Sequence, residues 1–513
     1  MPWLADLEAR DDLTYADAFL SPHNPLERRI LNDYASPAEC RKFNSLYAKM
    51  LDLSLHSEKK DALKAYRDYI LELAAKYPEA STDVSRDSVD MHPIDGFGNI
   101  PIVIANMNAV VGKRMAEIMA MLGGSAAVPQ DKTDDEMEEI AEYLHSRDVR
   151  YLTPTLVTPR TRIHELREYL EKRDMDTAIV VDKVDAGHKQ DGKFLGIVRF
   201  QRNSNERVEP GVIPLNINAD KSIREFMRTE NCITAQKGIS PEDAFEIMSK
   251  DRAVQFLPVL DRRGRVHGVI TNKFLGWQWR YKPHEDKKNG GLAMLGTIGA
   301  LNKNPLDRAK LLLDLGISGI ILDTAHLDQG VQTYRNIERV ASLIAQSREQ
   351  VKLIAGNMIS TDAVRSTIAA GADIAKIGIG PGAVCTTRME TANGRPQLSA
   401  VADCAEVADK YGKHVWADGG IEYPRDVALA LAAGASLVMI GSMFTPVVES
   451  PGPFKTDEKG EYKVNSGMAS RQASELRNLN NRREDMASHF RSVMGHRAEG
   501  LSESRIYVRD GRR

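Results

Sequence analysis

Two patterns in this 513-residue sequence predict an α/β fold, a closed eight-stranded (β/α)8 or TIM barrel, into which a second module is inserted. The first is a repeated beat from Gly291 onward. Short apolar runs, with Gly, Asp, Asn or Ser gathered at their ends, alternate with helix-like stretches. The runs are "LAMLGTIG" (292–299), "GIILDTAH" (319–326), "KLIAGNM" (352–358), "IAKIGIGPG" (374–382), "HVWADGG" (414–420) and "LVMIGSM" (437–443). Amphipathic segments such as "NPLDRAKLLLDLG" and "TDAVRSTIAAGA" separate them. Continuous apolar strands alternating with helices mark a parallel sheet covered on both faces. The second pattern is a similar pair upstream, "IPIVIANMN" (100–108) and "SAAVPQDK" (125–132), joined by the helical "VGKRMAEIMAMLGG". Two strands and six make eight, the number that closes a barrel, and the strand ends rich in glycine and polar residues mark the face on which barrels build sites.

Three segments follow from this. Residues 1–150 hold the N-terminal part of the barrel, 151–289 the inserted module, and 290–513 the rest of the barrel with its catalytic loop and flap. Within 1–150, residues 36–85 read as a packed helical insertion, because Leu63, Tyr66, Ile70 and Leu73 share one helical face; a partner-docking helix is the alternative. Residues 151–289 contain an internal repeat of about 45–50 residues. "PTLVTPRTRIHELREYLEKRDMDTAIVVDKVDAGHKQDGKFLGIV" and "CITAQKGISPEDAFEIMSKDRAVQFLPVLDRRGRVHGVIT" each run from a Thr- or Ser-Pro start through a helix, a strand and a charged turn to a closing strand. The pair resembles a tandem CBS, or Bateman, domain.

Composition narrows the function classes. With 42% apolar and 27% charged residues and a net charge of -3, the chain reads as globular, and its basic residues are matched by acidic ones along the whole length, which argues against a nucleic-acid partner. No apolar run reaches the roughly 18 residues of a membrane span. The N-terminal "MPWLADLEARDD" is too acidic for a secretory signal. Cys40, Cys232, Cys385 and Cys404 are far apart, with no metal-ligand spacing, and a reducing cytoplasm is the expected location.

One of those cysteines stands at a barrel strand end, in "IGIGPGAVCTTR" (377–388). Gly378, Gly380 and Gly382 permit a backbone path and a close ligand approach that other residues forbid, and Pro381 stiffens it. A thiol is only a few per cent thiolate at neutral pH, so a nucleophilic Cys385 needs help; loop amides and Arg388 are the candidates, with the Thr387 hydroxyl two residues on. A loop cysteine without a role is the plain alternative. "WADGG" and "MIGS" end the seventh and eighth strands, where barrels often bind phosphate through backbone amides. Gly419, Gly420, Gly441 and Ser442 suit that role, and Asp418 is placed to accept from a sugar diol or, alternatively, to cap the next helix. The combination points to a nucleoside monophosphate with its base toward Cys385.

The motifs "DLTYADAFLSP", "IPIVIANMNAVVGKRMA", "LDTAH", "AGNM", "GIGPGAVCTTR", "RPQLSAV", "ADGGI", "VMIGSM", "ESPG" and "GMAS" occur in that order. They resemble the IMP dehydrogenase/GMP reductase family over nearly the whole chain outside 36–85. The resemblance implies that the Cys385 thiolate adds to C2 of a purine monophosphate while a nicotinamide cofactor exchanges hydride with that carbon. It places Asn106, Gly382, Met468 and Ala469 with the residues above at the substrate, and Asp323, His326 and Asn357 at the cofactor. It further implies a monovalent cation, K+, on carbonyls of Gly380, Gly382 and Cys385, and a homotetramer or homo-octamer.

Within the family, dehydrogenases supply a water activator as an Arg-Tyr pair on a flap. Here the region "ASELRNLNNRREDMASHFRSVMGHRAEG" has Arg482-Arg483 followed by Glu484, and no Arg-Tyr. The reductase apparatus, a Thr polarised by a Glu, has candidates in Thr387 and Glu499, and "ANM" (105–107) also looks more like the reductase. The expectation is GMP reductase using NADPH, with NADH or NAD left open; IMP dehydrogenase and a non-catalytic nucleotide-binding scaffold are the alternatives. Some family positions differ: Ala383 replaces a phosphate-contacting Ser, "PQDK" replaces a His-Lys pair, and Asn465 stands where dehydrogenases carry a Tyr. ATP or GTP as effectors of the CBS pair is an expectation too, although Arg202 and Phe274 occupy the positions of the usual ribose-binding Asp.

Overall fold

The computed structural model describes residues 97–467 apart from 172–174, 185–191, 202–207, 251–253, 281, 287, 329, 348 and 386, together with 503–507 and the isolated positions 36, 38, 42, 69, 72, 76 and 93. In chain order, β1 (Ile102–Ile104) is followed by α1 (Lys113–Met121), β2 (Ser125–Val128) and α2 (Asp134–His145). The second helix shows why such segments are helical and where they face. Met137, Ile140, Ala141 and Leu144 recur at helical spacing and are buried, while its acidic residues start the first turn. Its N-terminus is a reciprocal cap: Glu136 N–H donates to Thr133 Oγ1 at 3.2 Å, and Thr133 N–H donates to Glu136 Oε2 at 2.9 Å.

The inserted segment then forms two small sheets. The first comprises β3 (Leu156–Val157), α3 (Ile163–Glu171), β4 (Thr177–Val181), β5 (Phe194–Phe200) and β6 (Val212–Ile213), in strand order β3-β4-β5-β6. The second comprises β7 (Ala235–Gln236), α4 (Pro241–Lys250), β8 (Phe256–Leu260) and β9 (Val266–Thr271), followed by α5 (Asn272–Arg280). In each half a strand, a helix and two strands succeed one another, the first two strands parallel and the next pair antiparallel. The halves have separate apolar cores, one around Leu166, Val180 and Ile213, the other around Ala244, Leu257 and Ile270.

The barrel resumes with β10 (Leu295–Gly299), α6 (Pro305–Asp314), β11 (Gly319–Asp323), α7 (Val331–Ser347), β12 (Lys352–Met358), α8 (Thr361–Ala369) and β13 (Ile374–Ile377). A short α9 (Thr387–Thr391) precedes α10 (Gln397–Asp409), β14 (His414–Asp418), α11 (Pro424–Ala432) and β15 (Leu437–Ile440). Eight parallel strands close on themselves: β1 pairs with β2, β2 with β10, and so on to β15, which returns to β1 through Ile102↔Val438 and Ile104↔Ile440. The fold class read from the sequence is the one observed, with each of the eight apolar runs forming a barrel strand.

Side chains alternate across each strand. Val103, Leu295, Ile321, Ile354, Ile374, Trp416 and Leu437 fill the barrel interior, and their neighbours pack outward under the helices. Trp416 is fully buried, with the Phe97 ring edge-on at 5.4 Å. A three-stranded antiparallel sheet of β16 (Lys455–Asp457), β17 (Gly460–Ser466) and β18 (Glu503–Tyr507) follows β15. Its Lys463 is buried and donates to the Val447 and Ser450 carbonyls, both at 2.8 Å; burial pushes its ammonium down to about 8.

Residues 19–91 form a separate compact unit. Its described positions Tyr69, Glu72 and Lys76 are helical, and Lys42 Nζ lies 4.0 Å over the Tyr69 ring. The face expected from Leu63, Tyr66, Ile70 and Leu73 lies outside the described residues.

Replacing Thr133 by Ala removes the Oγ1 that accepts from the Glu136 amide and leaves the backbone half of the α2 cap in place. A loss of about 1 kcal/mol is expected, read as a lower urea midpoint for the barrel transition with an unchanged slope.

Candidate active site

The C-terminal strand ends surround one cavity of about 1280 Å3, larger than one small ligand needs. On one side it is walled by the loop after β13, and this loop is built around two left-handed glycines, Gly378 (φ +143°) and Gly380 (φ +78°). A Cβ on Gly380 would also sit 2.4 Å from Arg388 Cγ, so the position demands glycine twice over. Arg388 is what the loop closes around. Its Nε donates to the Ile379 carbonyl at 3.0 Å and its Nη2 donates to the Arg395 carbonyl. Arg388, a candidate with the loop amides for stabilising a thiolate, thus gives these two donors to neutral backbone carbonyls.

Cys385 is exposed at the cavity wall. Its amide donates to the Gly382 carbonyl at 2.9 Å, and its Sγ lies 3.2 Å from Thr387 Oγ1, at the start of α9. That contact gives a nucleophile and a hydroxyl able to pass a proton within one turn of chain. The contrast with Cys404 is sharp: it is buried in α10, and desolvation pushes its thiol up to about 12.

The centre of the site is a buried cation the sequence reading did not single out. Lys376 lies on β13, two positions beyond the inward-facing Ile374, and is 1% exposed. Its Nζ stands 2.9 Å from Asp323 Oδ1 and 2.6 Å from Asp418 Oδ2, and donates to Asn357 Oδ1. Burial alone would push the ammonium down; the two carboxylates outweigh it and hold it raised. Asn357 Nδ2 donates in turn to Asp418 Oδ2 at 2.9 Å and to the Gly378 carbonyl at 2.6 Å. A β-bulge between Gly356 and Met358 aims Asn357 inward, and a Cβ on Gly356 would come 2.5 Å from Lys376 Cβ. The signal available in the sequence was a single lysine in the otherwise apolar "IAKI".

Asp418 therefore faces the site rather than capping a helix. The helix after β14 is capped elsewhere, where Asp426 Oδ2 accepts from the amides of Glu422 (2.9 Å) and Tyr423 (2.8 Å). Of the other expected residues, Asn106, Gly380, Gly382, Asp323, Asn357 and Gly419 line the same cavity. Gly420, Gly441, Ser442 and the half-buried His326 are not part of its lining; Gly441 stands just behind it, 3.0 Å from Met107 Sδ measured from its would-be Cβ. Met468, Ala469 and Glu499 lie outside the described residues. Two cavity-lining polar atoms, Asn106 Nδ2 and Thr297 Oγ1, are buried with no protein partner, as is fitting where a ligand supplies one. Among the described residues no His, Cys, Asp and Glu cluster suits a metal ion, and no helix is long and apolar enough to cross a membrane.

The family model described as "IMP dehydrogenase / GMP reductase domain" matches residues 68–508. The chain belongs to the IMP dehydrogenase/GMP reductase family. It is an oxidoreductase of that family, whose members work with a nicotinamide dinucleotide. Relatives include a GMP reductase of Mycobacterium bovis, 36% identical over 399 residues and 77% of each chain. An inosine-5'-monophosphate dehydrogenase of Aquifex aeolicus is 34% identical over 374 residues, 72% of each chain. Among solved structures, a cysteine-to-alanine variant of GMP reductase from Trypanosoma brucei in complex with guanosine 5'-monophosphate is similar, with TM-score 0.52, 25% identity, and 82% of this chain and 88% of that one covered.

Iodoacetamide on the native protein should alkylate Cys385 at least about tenfold faster than Cys404, whose buried thiol ionises far above neutral pH. Peptide mass mapping of a time course at pH 8 checks this; equal rates would contradict the exposed placement of Cys385.

Proposed function

We propose that the chain is a GMP reductase, converting GMP, NADPH and a proton to IMP, NADP+ and ammonia. The observation that carries this reading is the Cys385–Thr387 pair, 3.2 Å apart on the cavity wall, in a sequence whose flap region has no Arg-Tyr water activator. IMP dehydrogenase is the second reading, supported by the similarity to named dehydrogenases. A non-catalytic nucleotide scaffold would need neither the exposed thiol nor its hydroxyl neighbour.

In this reading the nucleotide phosphate rests on the amides after β14 and β15, around Gly419, Gly420, Gly441 and Ser442, and Asp418 accepts from the ribose diol. Cys385 Sγ bonds to purine C2. Thr387, relayed by Glu499, delivers a proton to the amino group as it leaves as ammonia. The dinucleotide, when bound, would supply a hydride to C2, and the C2–Sγ bond then breaks to release IMP and return the Cys385 thiolate. The unpartnered Asn106 Nδ2 is left for the nucleotide, and the size of the cavity and the unpartnered Thr297 Oγ1 fit a second ligand beside it, with Asp323 and Asn357 facing that ligand. Potassium on the carbonyls of Gly380, Gly382 and Cys385 belongs to the same reading, since uncharged oxygens suit a monovalent cation; Gly382 O accepts one amide and keeps a second lone pair. No step depends on it.

For residues 151–289 we propose a CBS pair that organises a homotetramer or homo-octamer in the cytoplasm. Phe274 is 1% exposed and packs in the core, which disfavours a ribose contact at that position and so weighs against ATP or GTP as effectors there.

Purified protein offered GMP with NADPH, and separately IMP with NAD+, should change absorbance at 340 nm only with the first pair. Cys385→Ala should lower turnover at least about a thousandfold while still binding GMP, and Glu499→Gln should slow ammonia release more than hydride transfer. Turnover of IMP with NAD+ instead would establish the dehydrogenase.

A further inference from the structure

Lys376 has no part in the steps above, yet it is a charged group only 1% exposed. It donates to three acceptors carried by three different strands, β11, β12 and β14, and so uses its full donor capacity. Each carboxylate commits one oxygen to this cluster. Asp418 gives one oxygen, Oδ2, to Lys376 and Asn357; Asp323 gives Oδ1 to Lys376. Both residues line the cavity and are partly exposed, 18% and 13% at the side chain. Each therefore keeps one oxygen for a ligand.

We propose that Lys376 is a positioning residue serving two subsites at once: one buried ammonium holds Asp418 and Asp323 ionised and aimed, so that the nucleotide and the dinucleotide are received by acceptors sharing a single counter-charge. This rests on the reading of Asp418 as the acceptor of the nucleotide ribose. The charged groups that contact Lys376 among the described residues are Asp323 from β11 and Asp418 from β14, with the neutral amide of Asn357 between them on β12. Both carboxylates lie within hydrogen-bond reach of one nitrogen, so they are close to each other. Without the cation, two such carboxylates cannot both stay ionised near neutral pH, and the first proton taken up converts an acceptor into a donor. A purely structural lysine predicts loss of stability; a shared counter-charge predicts a new pH dependence of ligand binding and its relief when the second carboxylate is neutralised.

The test is calorimetric titration of the full-length Cys385→Ala protein with GMP at pH 8.5 and 6.5, in backgrounds that also carry Lys376→Met, Asp323→Asn, or both. With Lys376 present, affinity should differ by less than about threefold between the two pH values. Lys376→Met should weaken binding about tenfold at pH 8.5 and about a hundredfold at pH 6.5, about 1.4 and 2.8 kcal/mol. Adding Asp323→Asn should restore about tenfold of the loss at pH 6.5. Additive losses in the double variant, or a Lys376→Met protein that binds GMP equally at both pH values, would overturn the proposal. If Lys376→Met does not fold, Asp323→Asn alone decides: it leaves Lys376 to Asp418, so GMP binding should persist to lower pH than in the parent, and an unchanged or raised loss point overturns the idea. Failure of the Cys385→Ala parent itself to bind GMP is a different result, and refutes the nucleotide reading on which this one stands.

Discussion

Everything at the site depends on the pairing of β1 with β15. That ladder joins Ile102–Ile104 to residues 438–440 and turns an open parallel sheet into a closed one. Closure has a geometric consequence that no single strand possesses. The C-terminal ends of all eight strands meet on one rim, so Asn106, Asp323, Asn357, Lys376 and Asp418 face a common cavity or a common cluster from five different strands or strand ends. Residues more than three hundred positions apart become neighbours because the backbone hydrogen bonds leave no edge strand unpaired.

The same closure explains how the barrel tolerates an insertion between its second and third strands. β2 and β10 pair directly, Ala127 with Leu295 and Val128 with Gly296, as though nothing lay between them. The inserted chain leaves from the lower side of the barrel, and its point of departure is pinned by a buried carboxylate. Glu117 on α1 is 2% exposed and accepts from Arg114 at 2.8 Å, from Tyr143 on α2 at 2.6 Å, and from Thr153 at the start of the insertion. A buried carboxylate stays only when its lone pairs are met, and three donors from three segments meet this one. On the return side, His145 and Asp286 make a second link at 2.8 Å. Thus the insertion hangs from polar clasps at the barrel's base while the catalytic rim is at the opposite end.

How much of this was legible in the sequence follows from what each residue's neighbours are. The eight strands were legible because a strand buried on both faces must be apolar throughout, and such runs stand out. The cysteine loop was legible because left-handed turns require glycine, and Gly378 and Gly380 are spaced by it. Lys376 was not. A strand read as continuously hydrophobic absorbs one lysine without losing its pattern, and its meaning appears only when Asp323 and Asp418, from other strands, are brought beside it. The architectural part of Arg388 was hidden for a similar reason, since sequence proximity points to Cys385 while the carbonyls it holds belong to Ile379 and Arg395. The capping alternative for Asp418 failed on the same kind of detail, since only the structure reveals that Asp426 already does that work.

The division of labour between these two cations is the last step. Arg388 binds neutral carbonyls at the base of the loop, and because a guanidinium presents its donors in a rigid fork it can hold two strands of backbone at a fixed spacing. Lys376 binds two carboxylates and an amide oxygen, and because an ammonium is a compact point charge it can sit among acceptors that converge from different directions. Exchanging them would satisfy the charge but not the direction of the donors, because a planar fork and a point charge aim their N–H groups differently. Arg388 ties Ile379 to Arg395 across the cysteine loop, Lys376 ties three barrel strands together, and the Cys385 thiol is left exposed at the cavity wall.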